Sequence, residues 1–246
     1  MSTVLVIAGT DSSGRAGLAR DVRTLAYFDT AALCAVTAVT AQTDTQLSAT
    51  HVVPPEMVRA QMAAALTTGK VAAIKIGMLG TRATVLAVAA SLPPRAQVPI
   101  VLDPVLASSS GGALLEEAGR EALIEHLVPH VTLITPNIPE AAALLGTAAV
   151  SLESALLQQA QALLALGPQA VLLKGGHGTG AQAVDYLVRQ AQPPRRLSAP
   201  RLPGTLRGTG CALASGIAAG LAAGLALEEA CARAKRHVTE CLPRGR

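Results

Sequence analysis

Residues 4–26 read VLVIAGTDSSGRAGLARDVRTLA and join an apolar run to a glycine-rich loop and an amphipathic segment. The run at 4–8 stops at Gly9, as is typical of a strand buried on both faces of a parallel sheet. The apolar face of the next segment consists of Leu18, Val22, Leu25 and Ala26, whose spacing predicts a helix. The pattern predicts a strand–loop–helix unit, the building block of α/β folds.

Similar units follow along the chain. Strands are predicted at 33–39, 72–76, 100–102, 131–134 and 170–173, and helices at 55–66, 81–92, 116–127 and 152–166. Because such alternation forms right-handed βαβ units, it predicts one mostly parallel sheet with helices on both faces. Two later runs, 183–188 and 196–201, have no helix between them and predict an antiparallel edge pair. We expect a single domain over residues 1–246.

Composition narrows the function classes. The chain has 50% hydrophobic and 15% charged residues, which excludes intrinsic disorder. Only 1% of its residues are aromatic, so base-stacking platforms for single-stranded nucleic acid are not expected. The net charge of +4 comes from scattered basic residues, which favours a solvated surface over a nucleic-acid site.

The most apolar stretch, residues 211–227, raises the question of a membrane span. It is at the lower length limit for crossing a bilayer and carries Gly216, Gly220 and Gly224 at every fourth position. Such glycines mark either a membrane dimer face or a buried helix that closely approaches a neighbour, and we favour the second.

The chain starts without a signal-peptide pattern, and its 4 cysteines lack metal-type spacing. We therefore expect a cytoplasmic protein with reduced thiols and no membrane partner.

The predicted strands end in segments that are polar and rich in glycine. These segments are 9–17, 40–44, 77–79, 103–105, 135–137, 174–177 and 208–211. Ligands of open parallel sheets bind beyond the carboxyl ends of the strands. So many polar segments at one rim predict a large ligand or two ligands side by side.

The first loop matches neither common nucleotide motif. Gly9 and Gly14 have P-loop spacing, but Arg15 and Ala16 stand where a P-loop needs Lys and Ser or Thr, and G-x-G-x-x-G is absent. Asp21 lies beside the apolar face of the first helix. Its carboxylate either interacts with the helix dipole or accepts a hydrogen bond from a substrate, and the sequence leaves both open.

Residues 208–211, Gly-Thr-Gly-Cys, are the strongest local signal, since they precede the apolar helix predicted at 212–227. Glycines there let backbone N–H groups converge at a helix N-terminus, where they bind phosphate or the charge of a phosphoryl group in transfer. A thiol at such a position, Cys211, is expected to have a lowered pKa. A loop before a buried helix, with Cys211 as a small core residue, is the structural alternative.

Five further positions carry possible site chemistry. Lys174 ends a strand, where it either contacts phosphate or extends to solvent, and Asp103 ends another strand, a common place for a Mg²⁺ carboxylate. Asn137 and Glu140 have the spacing of a helix capping box. Lys75, one residue inside a strand end, predicts a buried partner.

In chain order these segments resemble the hydroxymethylpyrimidine/phosphomethylpyrimidine kinases of thiamine biosynthesis, within the ribokinase-like superfamily. The matching stretches are IAGTDSSG (7–14) with Ala16 and Gly17, AVTAQ (38–42), KIGML (75–79), LDPV (102–105), TPN (135–137) with Glu140 and Ala141, LKGGH (173–177) and GTGC (208–211). Each stretch alone is modest, but the ordered set spans nearly the whole chain and is specific.

The resemblance implies a three-layer αβα sandwich, a homodimer and a kinase that uses ATP and Mg²⁺. It implies phosphorylation of 4-amino-5-hydroxymethyl-2-methylpyrimidine to the monophosphate and then to the diphosphate. The residues implied to frame the pyrimidine are Gly9, Ala16, Asp21, Gln42, Met78 and Val105. Those implied to contact the nucleotide are Lys174, Asn137, Thr209 and Gly210, with Asp103 and Glu140 holding Mg²⁺.

The resemblance also implies a catalytic group and leaves alternatives. The amides of residues 208–211 would form an anion hole, in which Gly208, Gly210, Cys211 and Lys174 act in catalysis. Cys211 stands where sugar kinases of the superfamily place an Asp. Gln42 favours an aminopyrimidine, because related pyridoxal kinases carry Met there and an amide both donates and accepts. A pyridoxal-type vitamin kinase and a catalytically silent ligand-binding protein remain the alternatives.

Four segments depart from the family pattern. Arg207 replaces a usual His and adds a cation that would face phosphate, and Arg15 replaces a frequent Gly. Thr43 and Asp44 replace Asn-Thr, and residues 108–110, Ser-Ser-Ser, replace Lys-Ser-Gly. These changes affect the expected substrate preference and the geometry of the loops over the site.

Overall fold

A computed structural model describes residues 1–108, 112–176, 180–202 and 206–242. Ser109, Ser110 and His177, which were named in the sequence comparison, lie outside the described residues. The described chain forms one sheet between two layers of helices. This confirms the predicted three-layer αβα sandwich.

The sheet is mostly parallel, as predicted. Its nine strands are β1 (Thr3–Asp11), β2 (Ala31–Gln42), β3 (Leu47–Val52), β4 (Val71–Ile76), β5 (Ile100–Leu102), β6 (Leu133–Ile134), β7 (Ala170–Leu173), β8 (Gln182–Arg189) and β9 (Arg195–Pro200). Their spatial order is β3-β2-β1-β4-β5-β6-β7-β8-β9. The six strands from β2 to β7 in this order run parallel, whereas β3 at one edge and β8 and β9 at the other pair antiparallel.

Helices connect the strands on both sides of the sheet. They are α1 (Gly17–Tyr27), α2 (Pro55–Leu66), α3 (Arg82–Ser91), α4 (Glu117–Ala122), α5 (Ile138–Leu145), α6 (Glu153–Leu164), α7 (Thr209–Ala222) and α8 (Leu227–Cys241). Helix α4 continues through a π-helical turn at Leu123–Leu127 and a 3-10 turn at Val128–His130.

The core has two halves, one on each face of the sheet. Along β1, Leu5 and Ile7 pack into the half that α2 to α6 cover, while Val4 and Val6 pack into the half that α1, α7 and α8 cover. All four side chains are fully buried. Burial on both faces explains why β1 is a continuous apolar run rather than an alternating one.

Helices α7 and α8 approach closely because α7 carries small residues. A Cβ atom on Gly216 would lie 3.0 Å from Ala234 Cβ, and one on Gly220 would lie 2.8 Å from Ala230 Cβ. The interpretation as a close-packing face is confirmed for Gly216 and Gly220, whereas Gly224 lies beyond the end of α7 and a Cβ atom on it would meet no atom of the described residues within 4 Å. None of the helices that the structure describes is both long and apolar enough to cross a bilayer.

Two sequence predictions about elements were wrong, and one strand was missed. Val22 is 39% exposed, and Asp21 lies on the buried face of α1 instead, because its carboxylate pairs with Lys75 of β4. The apolar helix predicted to reach residue 227 ends at Ala222, since Gly224 has a φ of +82° that stops α7 before α8 begins. Strand β3 was not predicted, because it is a mostly exposed edge strand without an apolar run.

Candidate active site

The N-terminus of α7 meets the carboxyl ends of the parallel strands at one rim of the sheet. Thr209 and Gly210 open this helix, and Gly208 precedes it with a φ of +75°. A Cβ atom on Gly208 would lie 2.2 Å from the carbonyl oxygen of Arg15, so only glycine allows this approach. The tip of α7 is therefore packed against the loop after β1.

The loop after β1 is shaped by its own carboxylate. Asp11 is 8% exposed, and it accepts hydrogen bonds from Ser13 N at 2.9 Å and from Ala16 N at 3.0 Å. At the end of the loop, a Cβ atom on Gly17 would lie 2.3 Å from the Gly9 carbonyl oxygen. The loop is thus a fixed support for Ala16. Sequence reasoning noted the polarity of Asp11 but missed this organising role.

A lysine and two carboxylates form a charged cluster beside the α7 tip. Lys174 Nζ lies 2.8 Å from Asp103 Oδ1 and 3.8 Å from Glu140 Oε2. Thr135 Oγ1 donates to Asp103 Oδ1 at 3.2 Å. A Cβ atom on Gly210 would lie 3.2 Å from Lys174 Nζ and 3.5 Å from Asp103 Oδ2. The structure therefore brings together Lys174, Asp103, Glu140 and Gly210, which the sequence predicted for phosphate and metal.

The cluster keeps Lys174 charged and weakens the acidity of Glu140. Burial opposes the charge on Lys174, but Asp103 and Glu140 outweigh it and raise the pKa of the lysine. Burial raises the pKa of Glu140 to about 7, with Lys174 opposing and the Asp103 carboxylate adding to the rise. The group most responsive to an incoming cation is therefore Glu140.

The capping-box interpretation of Asn137 and Glu140 is confirmed. Glu140 N donates to Asn137 Oδ1 at 2.8 Å, and Asn137 N donates to Glu140 Oε2 at 2.7 Å at the start of α5. The cap fixes the Glu140 side chain next to Lys174. Nucleotide binding by Asn137 stays a prediction.

Asp21 and Lys75 form a completely buried ion pair. Lys75 Nζ lies 2.8 Å from Asp21 Oδ2, and Ser215 Oγ of α7 donates to Asp21 Oδ1 at 2.7 Å. Both charged side chains have 0% exposure, so the Asp21 carboxylate has no open surface toward a substrate. Asp21 also lies outside the first turn of α1, so neither sequence interpretation of it describes its contacts. The predicted buried partner of Lys75 is confirmed.

Cys211 does not have the lowered pKa that its helix position predicts. Desolvation raises the pKa of the thiol to about 11; Lys75 opposes the rise, whereas Asp21 and Asp103 add to it. The backbone N–H of Gly17 donates to the thiol, which ties it to the first loop. The helix terminus is outweighed because burial disfavours the charged thiolate, and the nearby carboxylates of Asp21 and Asp103 add to this effect. Cys211 is thus a neutral thiol at neutral pH.

Three of the residues predicted to frame a pyrimidine, Gln42, Met78 and Val105, lie at or just beyond the carboxyl ends of parallel strands. Gln42 is 8% exposed, and its Nε2 is buried with no hydrogen-bond partner among the described residues. Ser12 Oγ bonds to both Gln42 N and Gln42 O at 2.8 Å. Met78 is 8% exposed, and its Sδ would lie 2.9 Å from a Cβ on Gly9. Val105 follows β5, where its N–H donates to the Asp103 carbonyl at 2.9 Å.

Arg207 faces carboxylates of two loops. Its guanidinium lies 3.6 Å from Asp11 Oδ2 and 3.8 Å from Asp44 Oδ1, and it donates to the carbonyl of Thr43. Arg15 Nε lies 2.9 Å from the same Asp44 oxygen. These contacts replace the expectation of an arginine aimed at phosphate. The two departures at Arg15 and Asp44 compensate each other, a pairing that sequence reasoning missed because it examined each position separately.

Family comparison agrees with this site. A family model described as phosphomethylpyrimidine kinase matches residues 11–245. The chain belongs to the phosphomethylpyrimidine kinase family. It is therefore a phosphotransferase, and the recognition made from its motifs is confirmed.

Two relatives illustrate the sequence similarity. The hydroxymethylpyrimidine/phosphomethylpyrimidine kinase of Mycobacterium tuberculosis (strain H37Rv) is 42% identical over 241 residues, or 97% of this chain and 87% of that protein. The thiamine biosynthesis bifunctional protein ThiED of Geobacter sulfurreducens is 40% identical over 240 residues. That match covers 98% of this chain, which spans only 49% of the bifunctional protein.

Two solved structures share the fold. The phosphomethylpyrimidine kinase of Clostridium difficile has a TM-score of 0.85 at 33% identity, covering 98% of this chain and 100% of that one. The pyridoxal kinase of Staphylococcus aureus, in complex with AMP-PCP and pyridoxal, has a TM-score of 0.89 at 29% identity, covering 100% and 89%. The predicted ribokinase-like fold is confirmed by these neighbours.

The charged cluster fits a magnesium ion together with phosphates. Two carboxylates and one ammonium leave one negative charge when Glu140 is ionised. Mg²⁺ commonly takes one or two carboxylates and completes its shell with water and substrate phosphates. Within the described residues no group of three or more His, Cys, Asp or Glu side chains is arranged to hold a metal alone. The donor set matches an ion that arrives with a nucleotide.

Proposed function

We propose that the chain transfers the γ-phosphoryl group of ATP to the hydroxymethyl group of 4-amino-5-hydroxymethyl-2-methylpyrimidine, and then phosphorylates the monophosphate to the diphosphate. The observation that carries the proposal is the contact of Gly210 with Lys174 and Asp103 at the tip of α7. It places first-turn amides, a charged lysine and a carboxylate around one point. Few reactions other than phosphoryl transfer use helix N-terminal amides, a lysine and a carboxylate together.

On the phosphate side, the chain supplies positive electrostatic potential. The N–H groups of Thr209, Gly210 and Cys211 lie in the first turn of α7, where backbone N–H groups have no acceptor within the helix itself. They receive the equatorial oxygens of the phosphoryl group, and Lys174 Nζ neutralises charge that develops there. Because both are already in position, no rearrangement is required during transfer.

On the alcohol side, Cys211 orients the substrate hydroxyl as a neutral thiol. The new bond forms between that oxygen and phosphorus while the bond from phosphorus to ADP breaks. In a loose transition state of this kind the hydroxyl proton leaves late and passes to an oxygen of the transferred phosphate, so a strong base is not required. A pKa of about 11 for Cys211 is compatible with such a role.

Asp103 and Glu140 are the residues that would hold Mg²⁺. When bound, the ion neutralises the β- and γ-phosphate oxygens. The capping box keeps Glu140 in place for this purpose, and the Thr135 hydroxyl fixes the Asp103 carboxylate.

Gln42 supports a pyrimidine as the acceptor. A buried amide nitrogen without a partner costs free energy unless a ligand supplies the acceptor. A ring nitrogen of an aminopyrimidine supplies it, and the amide oxygen accepts from the exocyclic amine. The pyridoxal kinase neighbours in Staphylococcus aureus support a pyridoxal-type vitamin kinase as the second candidate.

The direct test is incubation with ATP, Mg²⁺ and the aminopyrimidine alcohol, followed by chromatography of the products. We expect the monophosphate first and the diphosphate later. Pyridoxal in place of the pyrimidine is the matched comparison, and a higher kcat/KM for pyridoxal would overturn the substrate assignment. Tight binding of both ligands without any product would identify a silent ligand-binding protein instead.

The cellular setting follows from the thiols. Cys34, Cys211, Cys231 and Cys241 are all free, as a reducing compartment keeps them. This supports a cytoplasmic location. A homodimer stays a prediction from the family resemblance.

A further inference from the structure

The peptide bond that follows Lys174 is held by a buried carboxylate from the next strand. Gly175 N donates to Asp185 Oδ1 of β8 at 3.0 Å. One residue earlier, Lys174 N donates to the Pro136 carbonyl at 2.8 Å. The backbone of Lys174 is thus fixed on both sides, by a main-chain bond before it and by a side chain after it.

Helix α8 supplies a counterion to Asp185 in the core. Asp185 is 4% exposed, and Lys235 Nζ lies 2.6 Å from its second oxygen, Oδ2. An unpaired buried carboxylate would be strongly unfavourable, whereas a paired one that also accepts a backbone N–H is tolerated. Asp185 Oδ2 therefore forms the ion pair with Lys235, and Asp185 Oδ1 accepts a hydrogen bond from the Lys174–Gly175 peptide.

The backbone at this turn has little freedom to find another arrangement. A Cβ atom on Gly175 would lie 1.9 Å from the carbonyl oxygen of Val184, so the turn is pressed against β8. If the Asp185 oxygen were lost, the half-buried Gly175 N–H would lose its acceptor, and the chain would shift to provide another one. The side chain of Lys174 starts from this backbone.

We propose that Asp185, neutralised by Lys235, is a positioning residue that fixes the Lys174–Gly175 peptide so that Lys174 Nζ stands beside the α7 tip. The inference rests on the proposed function, because it gives Lys174 the task of meeting the transferred phosphate. Displacement of a charged group by about 1 Å is enough to cost a large factor in phosphoryl transfer. The effect is confined to the nucleotide side, since Gln42 and Met78 lie on other strands and loops.

Two double variants separate the loss of the hydrogen-bond acceptor of Gly175 N from the loss of the Asp185–Lys235 ion pair. Asp185→Asn/Lys235→Met and Asp185→Leu/Lys235→Met both remove the ion pair and keep a side chain of four heavy atoms, branched at Cγ, at residue 185. Only asparagine retains an oxygen that accepts from Gly175 N. The measurements are kcat, KM for ATP, KM for the alcohol, and the Kd of a non-hydrolysable ATP analogue by calorimetry.

We expect the asparagine variant to stay within about threefold of wild type in kcat/KM for ATP, and the leucine variant to lose about tenfold or more. The KM for the alcohol should change less than about twofold in both. Equal nucleotide kinetics and equal analogue affinity in the two variants would overturn the proposal. If the leucine variant fails to fold, Asp185→Ala/Lys235→Met takes its place, since it also lacks the acceptor.

A control separates positioning from general loosening of the β8–α8 contact. Arg189 of β8 pairs with Glu228 of α8 at 3.3 Å, away from the Lys174 turn. Glu228→Gln should lower the melting temperature slightly and leave the analogue Kd unchanged; an equal rise in Kd would contradict a specific role for Asp185. Because the analogue Kd requires no turnover, it tests the inference even if the pyrimidine is not the acceptor.

Discussion

Gly210 lies so close to Lys174 that a Cβ atom on the glycine would stand 3.2 Å from the lysine Nζ. The same atom would lie 3.5 Å from Asp103 Oδ2. A side chain at position 210 would therefore crowd the Lys174 ammonium and the Asp103 carboxylate at the first turn of α7. The first turn of α7 is thus packed against the Lys174–Asp103 ion pair at the rim of the sheet.

Replacement of Gly210 by valine should nearly abolish phosphoryl transfer. The branched side chain would displace Lys174 and Asp103 from the α7 tip, so we expect kcat to fall by at least about 100-fold, as for loss of an anion-hole donor. Gly180→Val is the matched control, because a Cβ at that glycine meets nothing within 4 Å. A fully active Gly210→Val protein, with an unchanged circular dichroism spectrum, would contradict the anion hole.

Cys211→Ala should lower turnover while leaving pyrimidine affinity within about tenfold of wild type. The thiol orients the hydroxyl, whereas Gln42 carries most of the ring recognition, so the change affects kcat more than binding. Steady-state kinetics and calorimetry with the alcohol alone separate the two effects. Unchanged kcat would remove Cys211 from its proposed role.

Alkylation of Cys211 by iodoacetamide should be slow at neutral pH and rise steeply with pH. A thiol with a pKa of about 11 is about one part in a thousand thiolate at pH 8, so its rate should increase about tenfold per pH unit up to pH 9. Peptide-resolved mass spectrometry follows the rate, and buried Cys231 reports any unfolding. A rate that levels off below pH 8 would restore the lowered pKa that the helix position predicts.

Gln42→Met should shift the acceptor preference from the pyrimidine toward pyridoxal. Methionine removes both the unpartnered donor and the acceptor, so the KM for the aminopyrimidine should rise by about tenfold or more. Competition assays with both alcohols measure the ratio of kcat/KM. An unchanged ratio would show that the amide does not read the ring.

Local patterns account for what the sequence predicted, and long-range pairings account for what it missed. The apolar run of β1 and the capping box at Asn137 are visible within a few residues, and both are confirmed. Asp21 takes the buried position on α1 that was predicted for Val22, because Asp21 pairs with Lys75. Lys75 lies 54 positions away in the chain. No local periodicity contains that information. Site geometry that depends on such pairs therefore needed the structure.

Removal of one member of the buried Asp21–Lys75 pair should destabilise the fold more than removal of both. Lys75→Met leaves the Asp21 carboxylate without its counterion at 0% exposure, which we expect to lower the free energy of unfolding by about 3–5 kcal/mol. Asp21→Asn/Lys75→Met removes both charges and keeps an oxygen that accepts from Ser215, so most of that loss should be recovered. Urea unfolding at neutral pH measures both variants. A single variant as stable as wild type would show that the ion pair does not stabilise the region beneath α7. A double variant no more stable than the single variant would show the same. Ser215→Ala would then report whether the Ser215 hydroxyl stabilises this region.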